Sequence, residues 1–287
     1  MFYKDIEVGE IKAKFADHSS KFTIINQQEI HYKDQGDGDV ILMIHGSPGS
    51  LFIWNKWAEI LSKNYRIIRM DLPAFGITGP NRENDYSLNY YINFVKSFVD
   101  KLELKKFHLI GNSLGGQITY EFTDKFPGLV EKMVLISPTS FNHVYETSMF
   151  PAMKIIQSLV PKSGLNFITP KSWIRQSLKQ IYSDQKLITP SMVDLNHSLL
   201  LREGNRKALL GNIIEQSTNK ENKVSEITTP TLLLWGEKDK IIPVVNASNF
   251  KSMITNVRLI TYKDVGHFPF DEVPEQSAKD VEEFLKF

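Results

Sequence analysis

The run Phe107-His108-Leu109-Ile110-Gly111-Asn112-Ser113-Leu114-Gly115-Gly116 decides how the rest of this chain is read. Its first half is short and apolar, the pattern of a strand buried on both faces. It drives into Gly-Asn-Ser-Leu-Gly, and an amphipathic segment with Ile118, Tyr120, Phe122 and Phe126 follows. Strand, sharp turn and helix around G-x-S-x-G form a nucleophile elbow, in which the turn strains the serine backbone and lifts Oγ above the sheet edge. Gly111 and Gly115 suit a crossing where a side chain would collide. Leu114 opens the helix, so its backbone N–H is free of intrahelical bonds and can help to hold an oxyanion. G-x-S-x-G alone is common by chance; the flanking strand and helix make it informative.

Upstream, Phe22–Ile25 and Ile30–Lys33 alternate and are rich in β-branched residues, which predicts a hairpin closed at Gln35–Gly38. Val40–Ile44 is a continuous apolar run and reads as a buried parallel strand, as does Tyr65–Met70, which ends at Asp71-Leu72-Pro73. Helical spacing marks Phe52–Leu61 and Leu88–Leu102, and Lys132–Ile136 is the strand after the elbow helix. The alternation then stops at Ser137-Pro138. From Thr139 to about Ile227 only helical patches occur, near Pro151–Val160, Ser172–Tyr182, Ser191–Leu201 and Arg206–Gln216. It resumes with strands at Thr231–Trp235 and Val257–Tyr262, and helices near Val244–Met253 and Pro274–Phe287. The expected class is therefore α/β: a mostly parallel twisted sheet with helices on both faces, interrupted after the sixth or seventh strand by a helical cap. Residues 1–138 and 228–287 form the core and 139–227 the cap. Ligands in such sheets bind beyond the carboxyl ends of the strands, beneath such an insert.

At 287 residues the chain can build one sizeable core with an insertion. Lys and Arg total 34 against 33 Asp and Glu, a net charge of +1, which offers no footprint for nucleic acid or an anionic membrane. There is no cysteine, which removes disulfides, thiolate metal sites and a cysteine nucleophile together. The first residues mix acids with apolars and lack a signal-peptide core, and no window nears the roughly 18 apolar residues that span a bilayer. The expectation is a cytoplasmic monomer or homodimer acting on a small molecule, needing neither metal nor organic cofactor.

A serine nucleophile needs a base, and the base needs orienting. Glu237 and Asp239 follow the strand Leu233-Leu234-Trp235, and His267 follows the next one. Both loops thus reach the edge that carries Ser113. Asp239 is preferred to Glu237 because the Gly236 turn needs length before a side chain can reach back; Asp264 is expected to cap a turn. His45, His108, His143 and His197 are rivals for the base, set in a tight loop, a strand and the insert. The loop His45-Gly46-Ser47-Pro48-Gly49 follows the first parallel strand, and its N–H at Ser47 can face that of Leu114 across a carbonyl oxygen. Asp71 is read as fixing the loop after its strand.

On these residues the chain resembles the α/β-hydrolase superfamily over nearly its whole length. The match runs through His45–Gly49, Asp71-Leu72-Pro73-Ala74-Phe75-Gly76, Gly111–Gly116, Trp235–Asp239 and Gly266-His267, in order and with fitting spacing. The resemblance implies Ser113 as nucleophile, Asp239 as acid, His267 as base, and Ser47 and Leu114 as oxyanion donors. The Asp-Leu-Pro and Pro-Gly loops look like those of haloalkane dehalogenases and epoxide hydrolases, which use an aspartate where Ser113 stands. Gly-Asn-Ser-Leu-Gly-Gly is similar to the Gly-Asn-Ser-Met-Gly-Gly of meta-cleavage C–C bond hydrolases, in which a tryptophan occupies the position of Phe268. A C–C hydrolase would need a basic cap residue, such as Arg175, Arg202 or Arg206, for its acidic substrate. Aromatic and Met residues of the insert, from Phe141 to Met192, are expected mostly to pack it onto the core, with a few roofing an apolar pocket. Cleavage of small to medium apolar carboxylic esters is the favoured expectation; C–C hydrolysis and a receptor-like binding role are the alternatives.

Overall fold

The computed structural model of the protein describes residues 3–139, 169–218 and 227–286. Its strands are β1 (Ser20–Ile25), β2 (Gln28–Gln35), β3 (Val40–Ile44), β4 (Arg66–Met70), β5 (Phe107–Asn112), β6 (Val130–Ile136), β7 (Thr231–Gly236) and β8 (Val257–Tyr262). They form one sheet in the order β1-β2-β4-β3-β5-β6-β7-β8. The β1–β2 and β2–β4 pairs are antiparallel and every later pair is parallel. The central strands β5 and β7 are buried along their whole length, whereas β8 at the edge keeps partly exposed positions. That difference is why the first two read as unbroken apolar runs.

The helices are α1 (Val8–Phe15), α2 (Asn55–Leu61), α3 (Leu88–Lys101), α4 (Leu114–Lys125), α5 (Lys171–Ile181), α6 (Pro190–Leu201), α7 (Asn205–Thr218), α8 (Ala247–Met253), α9 (Pro269–Glu272) and α10 (Pro274–Lys286). Their starts follow from local chemistry. Ser87 Oγ accepts from the Tyr90 N–H at 3.2 Å to open α3. Thr189 Oγ1 accepts from Met192 N–H at 3.1 Å to open α6, with Pro190 in its first turn, where a missing N–H costs nothing. Alternate strand residues divide between two apolar layers: Leu42, Ile44, Leu109, Leu233 and Trp235 pack with α3, α4 and α8. Ile41, Met43, Ile110, Leu232 and Leu234 pack with α2 and α10 on the other face. A sheet covered on both sides with a period of two is the expected α/β architecture.

Between β6 and β7 the described residues form helices and no sheet strand. The helical patch at Pro151–Val160, together with His143 and Phe141, lies outside the described residues. The other three expected patches correspond to α5, α6 and α7. Two helices were not foreseen. The eight residues of α1 carry a short apolar stripe whose Ile11 packs with Ile77 and with Leu199 of α6, and α9 is a single turn. The stretch at 52–61 also divides, into a 3-10 turn at Leu51–Trp54 followed by α2.

Candidate active site

Ser113 stands between β5 and α4 with φ 56° and ψ −120°, a conformation that an L-residue adopts only under strain. The crossing that imposes it is tight. A Cβ on Gly111 would collide with the Gly115 backbone, and one on Gly115 with the carbonyls of Ile44 and His45. The loop after β3 therefore lies directly against the first turn of α4. Gly46 closes the contact, since a Cβ there would sit 2.8 Å from the Ser113 Cβ. Ser47 is next in that loop, and Leu114 is the first residue of α4, so its N–H has no partner within the helix.

Asp239 and His267 meet. His267 Nδ1 and Asp239 Oδ2 are 2.7 Å apart, and both side chains are almost wholly buried. The other carboxylate oxygen, Oδ1, accepts from the N–H groups of Ile241 and Ile242 at 2.8 and 2.9 Å. With three donors converging on it, the carboxylate has one orientation, and the bond to Nδ1 leaves Nε2 facing away from Asp239. Glu237 turns elsewhere and accepts from the Thr261 hydroxyl at 2.9 Å. Asp264 is in the left-handed region at φ 59°, exposed in its turn.

The loops that carry Asp239 and His267 are stitched together, Lys238 N–H donating to Val265 O at 2.8 Å. His267 N–H donates to Ile181 O at the end of α5, also at 2.8 Å. Glu272 completes this mount: Oε1 accepts from Gly266 N–H at 2.8 Å, and Oε2 from the Ser183 and Asp184 N–H groups at 2.9 and 3.2 Å. Burial pushes the Glu272 carboxyl above its ordinary range despite these donors. Asn112, just before Ser113, reaches the same loop through Nδ2, which donates to Ile136 O at 3.1 Å and His267 O at 3.4 Å. No hydrogen bond joins Ser113 Oγ to His267 Nε2 among the described residues; in serine enzymes that bond often tightens only once substrate is present.

Two of the three rival histidines among the described residues, His45 and His197, are bonded elsewhere, and His108 is held inside a strand. His45 Nε2 accepts from the Leu72 N–H at 3.0 Å, with burial holding the ring below its ordinary range. His197 bonds Thr169 O at 2.7 Å, and His108 lies within β5. Asp71 is fully buried and accepts from Leu51 N–H and Ile77 N–H, each at 2.8 Å, with His31 Nδ1 at 2.8 Å. It fixes the loop after β4, as the sequence suggested. Among the described residues no group of three or more His, Asp or Glu side chains could hold a metal ion. No described helix is long and apolar enough to cross a membrane.

Sequence reasoning gave no role to Asn112, Glu272 or Asn212, the last of which accepts a hydrogen bond from Ser47 Oγ at 2.7 Å. Glu272 lies five positions after His267, and its place was readable as an acid in a short turn. Nothing in sequence distinguishes Asn212 from other polar residues of its helix.

The mostly parallel sheet thus carries the strained Ser113 after β5, Asp239 after β7 and, bonded to it, His267 after β8. The profile of the alpha/beta hydrolase fold matches residues 39–274, and the chain belongs to that family. It is 27% identical to the uncharacterized hydrolase YugF of Bacillus subtilis, over 93% of this chain and 97% of that one. It is 25% identical to the 2-hydroxy-6-oxononadienedioate/2-hydroxy-6-oxononatrienedioate hydrolase of Comamonas testosteroni, over 87% and 90%. Identity to the monoacylglycerol lipase ABHD6 of Homo sapiens is also 25%, over 85% and 74%. The fold of the meta-cleavage product hydrolase from Pseudomonas fluorescens IP01 superposes with a TM-score of 0.78, at 21% identity over 93% and 97% of the two chains.

Proposed function

We propose that this hydrolase cleaves carboxylic esters of small to medium apolar substrates through Ser113, His267 and Asp239, with residues 139–227 as the cap over the site. The observation that carries the reading is the 2.7 Å bond between Asp239 and His267 at the sheet edge where Ser113 stands strained. His267 Nε2 takes the Ser113 proton as Oγ attacks the ester carbonyl, and the N–H groups of Ser47 and Leu114 hold the tetrahedral oxyanion. The carbonyl re-forms, the ester C–O bond breaks, and His267 passes the proton to the departing alkoxide. Water, activated by the same imidazole, then attacks the acyl-enzyme and releases the carboxylic acid, restoring Ser113. Asp239 keeps the proton on Nδ1 throughout and faces the imidazolium when it forms.

C–C hydrolysis of an acidic vinylogous diketone is the second reading, favoured by the Comamonas relative and by the Gly-Asn-Ser-Leu-Gly-Gly elbow. The arginines argue against it. Arg206 is paired with Asp5, Arg202 donates to Thr78 O at 3.1 Å, and Arg175 is exposed on α5. The monoacylglycerol lipase relative fits an ester substrate.

The test is fluorophosphonate labelling beside turnover of p-nitrophenyl esters of graded acyl length, with Ser113→Ala as control. Labelling at Ser113, turnover peaking at one chain length, and a loss of roughly 10⁴-fold or more in the variant are expected. A Ser113→Ala enzyme that still turns over esters sinks the assignment. Labelling without ester turnover, with cleavage of a meta-cleavage product instead, moves it to the second reading.

A further inference from the structure

A hydrogen-bond chain, buried except at its Ser47 end, runs from the segment read as the cap into the loop that flanks Ser113. Ser47 Oγ lies 2.7 Å from Asn212 Oδ1, Asn212 Nδ2 lies 3.2 Å from Tyr91 OH, and Tyr91 OH lies 3.0 Å from Pro73 O. Asn212 and Tyr91 are completely buried. The polarity of the chain is fixed from one end, because the Pro73 carbonyl can only accept. Tyr91 must therefore give its proton to Pro73, and toward Asn212 its oxygen is an acceptor. That places the amide nitrogen of Asn212 against Tyr91 and the amide oxygen against Ser47, so Ser47 is the donor. Burial holds the Tyr91 phenol well above its ordinary range, and the proton that anchors this order stays in place at neutral pH.

The hydroxyl proton of Ser47 is thus committed to Asn212 and is not available to a reacting oxygen. What Ser47 can offer the substrate is its backbone N–H, whose direction depends on how the 45–49 loop is held. Gly46 presses on Ser113 from one side, and the bond to Asn212 ties the next residue down from the other. The helix that carries Asn212 is itself fixed to the core: Ala208 packs into the same apolar layer as Tyr86 and Tyr91. We infer that Asn212 is a positioning residue, which through the Ser47 hydroxyl aims the Ser47 N–H at the developing oxyanion. The inference rests on the reading of Ser47 as an oxyanion donor.

An oxyanion donor contributes mainly where charge develops, so misaiming it lowers kcat and leaves KM nearly unchanged. A residue that only stabilises the fold changes the amount of competent enzyme instead. The experiment is a double-mutant cycle of Ser47→Ala and Asn212→Leu on a p-nitrophenyl ester. Enzyme is counted by fluorophosphonate titration and Tm is recorded for each variant. Each single variant is expected to lose about 10- to 100-fold in kcat per titrated site, short of the 10²–10³ of deleting a donor outright. KM should stay within about twofold, and the double variant should be no slower than the slower single one. Unchanged kcat per titrated site, or losses that multiply, overturns the inference. If Asn212→Leu does not fold, Ser47→Ala alone decides, since it removes only the hydroxyl and keeps the N–H. Ser113→Ala is run alongside. Were it to retain turnover, the serine-hydrolase reading would fall and take this inference with it. A dead Ser113→Ala beside a wild-type Asn212→Leu rejects the inference alone.

Discussion

Asp239 and Glu237 are two residues apart, and one geometrical fact separates them. The Asp239 carboxylate is held by two backbone N–H groups and by His267, while Glu237 is turned toward Thr261 on β8. Reach past the Gly236 turn is the sequence reason for preferring Asp239, and of the two carboxylates it is Asp239 that bonds His267. Asp239→Asn presents an NH₂ group or a weaker acceptor to Nδ1, which disturbs the tautomer needed on Nε2. On the proposed mechanism kcat should fall by roughly 10⁴-fold with the fold intact. Glu237→Gln should stay within a few-fold of wild type. Equal losses in the two variants, measured on the same ester, would place the orienting acid elsewhere.

At the scale of elements the crossing of β5 and α4 does most to build the site. Gly115 sits in the first turn of α4, where alanine would ordinarily favour the helix by about 1 kcal/mol. Here the added methyl meets the carbonyls of Ile44 and His45, and forced overpacking of this kind costs about 1–3 kcal/mol or more. The collision should win, so Gly115→Ala is expected to lower the urea midpoint and to slow fluorophosphonate labelling by displacing the Leu114 N–H. A raised midpoint would show that the strand and helix have room to part. The long, strongly patterned elements were legible because burial on two faces or on one stripe leaves a periodic trace. The short ones were not: α1 and α9 are held by what they touch, and a few residues carry too little periodicity to announce a helix.

Across the whole molecule, residues far apart in sequence are joined by buried polar groups. His31 of β2, Asp71 after β4 and the N–H groups of Leu51 and Ile77 meet at one point. Burial pushes the Asp71 carboxyl up, but the His31 hydrogen bond and charge, with His45 and the Leu51 N–H, outweigh it and hold the group below its ordinary 3.8. Burial likewise keeps His45 below its ordinary 6.5. Each group binds more protons in the unfolded chain than in the native one, so both make stability fall as the pH falls. The contribution of His45 declines as the pH drops below 6.5. That of Asp71 is complete above 3.8 and is lost as the pH falls through its native value. Urea midpoints measured against pH should therefore drop steeply on the acid side. Asp71→Asn should cost about 3 kcal/mol or more at neutral pH and flatten the acid limb. Parallel curves for the two proteins would remove Asp71 from this account.

The sequence by itself determined the layered α/β class, the elbow at Ser113 and the strand ends from which Asp239 and His267 project. These follow from hydrophobic period and from glycine and serine at fixed spacing, both local properties of the chain. Only the tertiary structure decided which acid meets the histidine, that Glu272 and Ile181 mount its loop, and that Asn212 holds the loop of Ser47. Those are single hydrogen bonds between segments up to 165 residues apart. A hydrogen bond spends one polar atom on each side and imposes no repeating pattern, so nothing in the order of residues records it until the chain has folded.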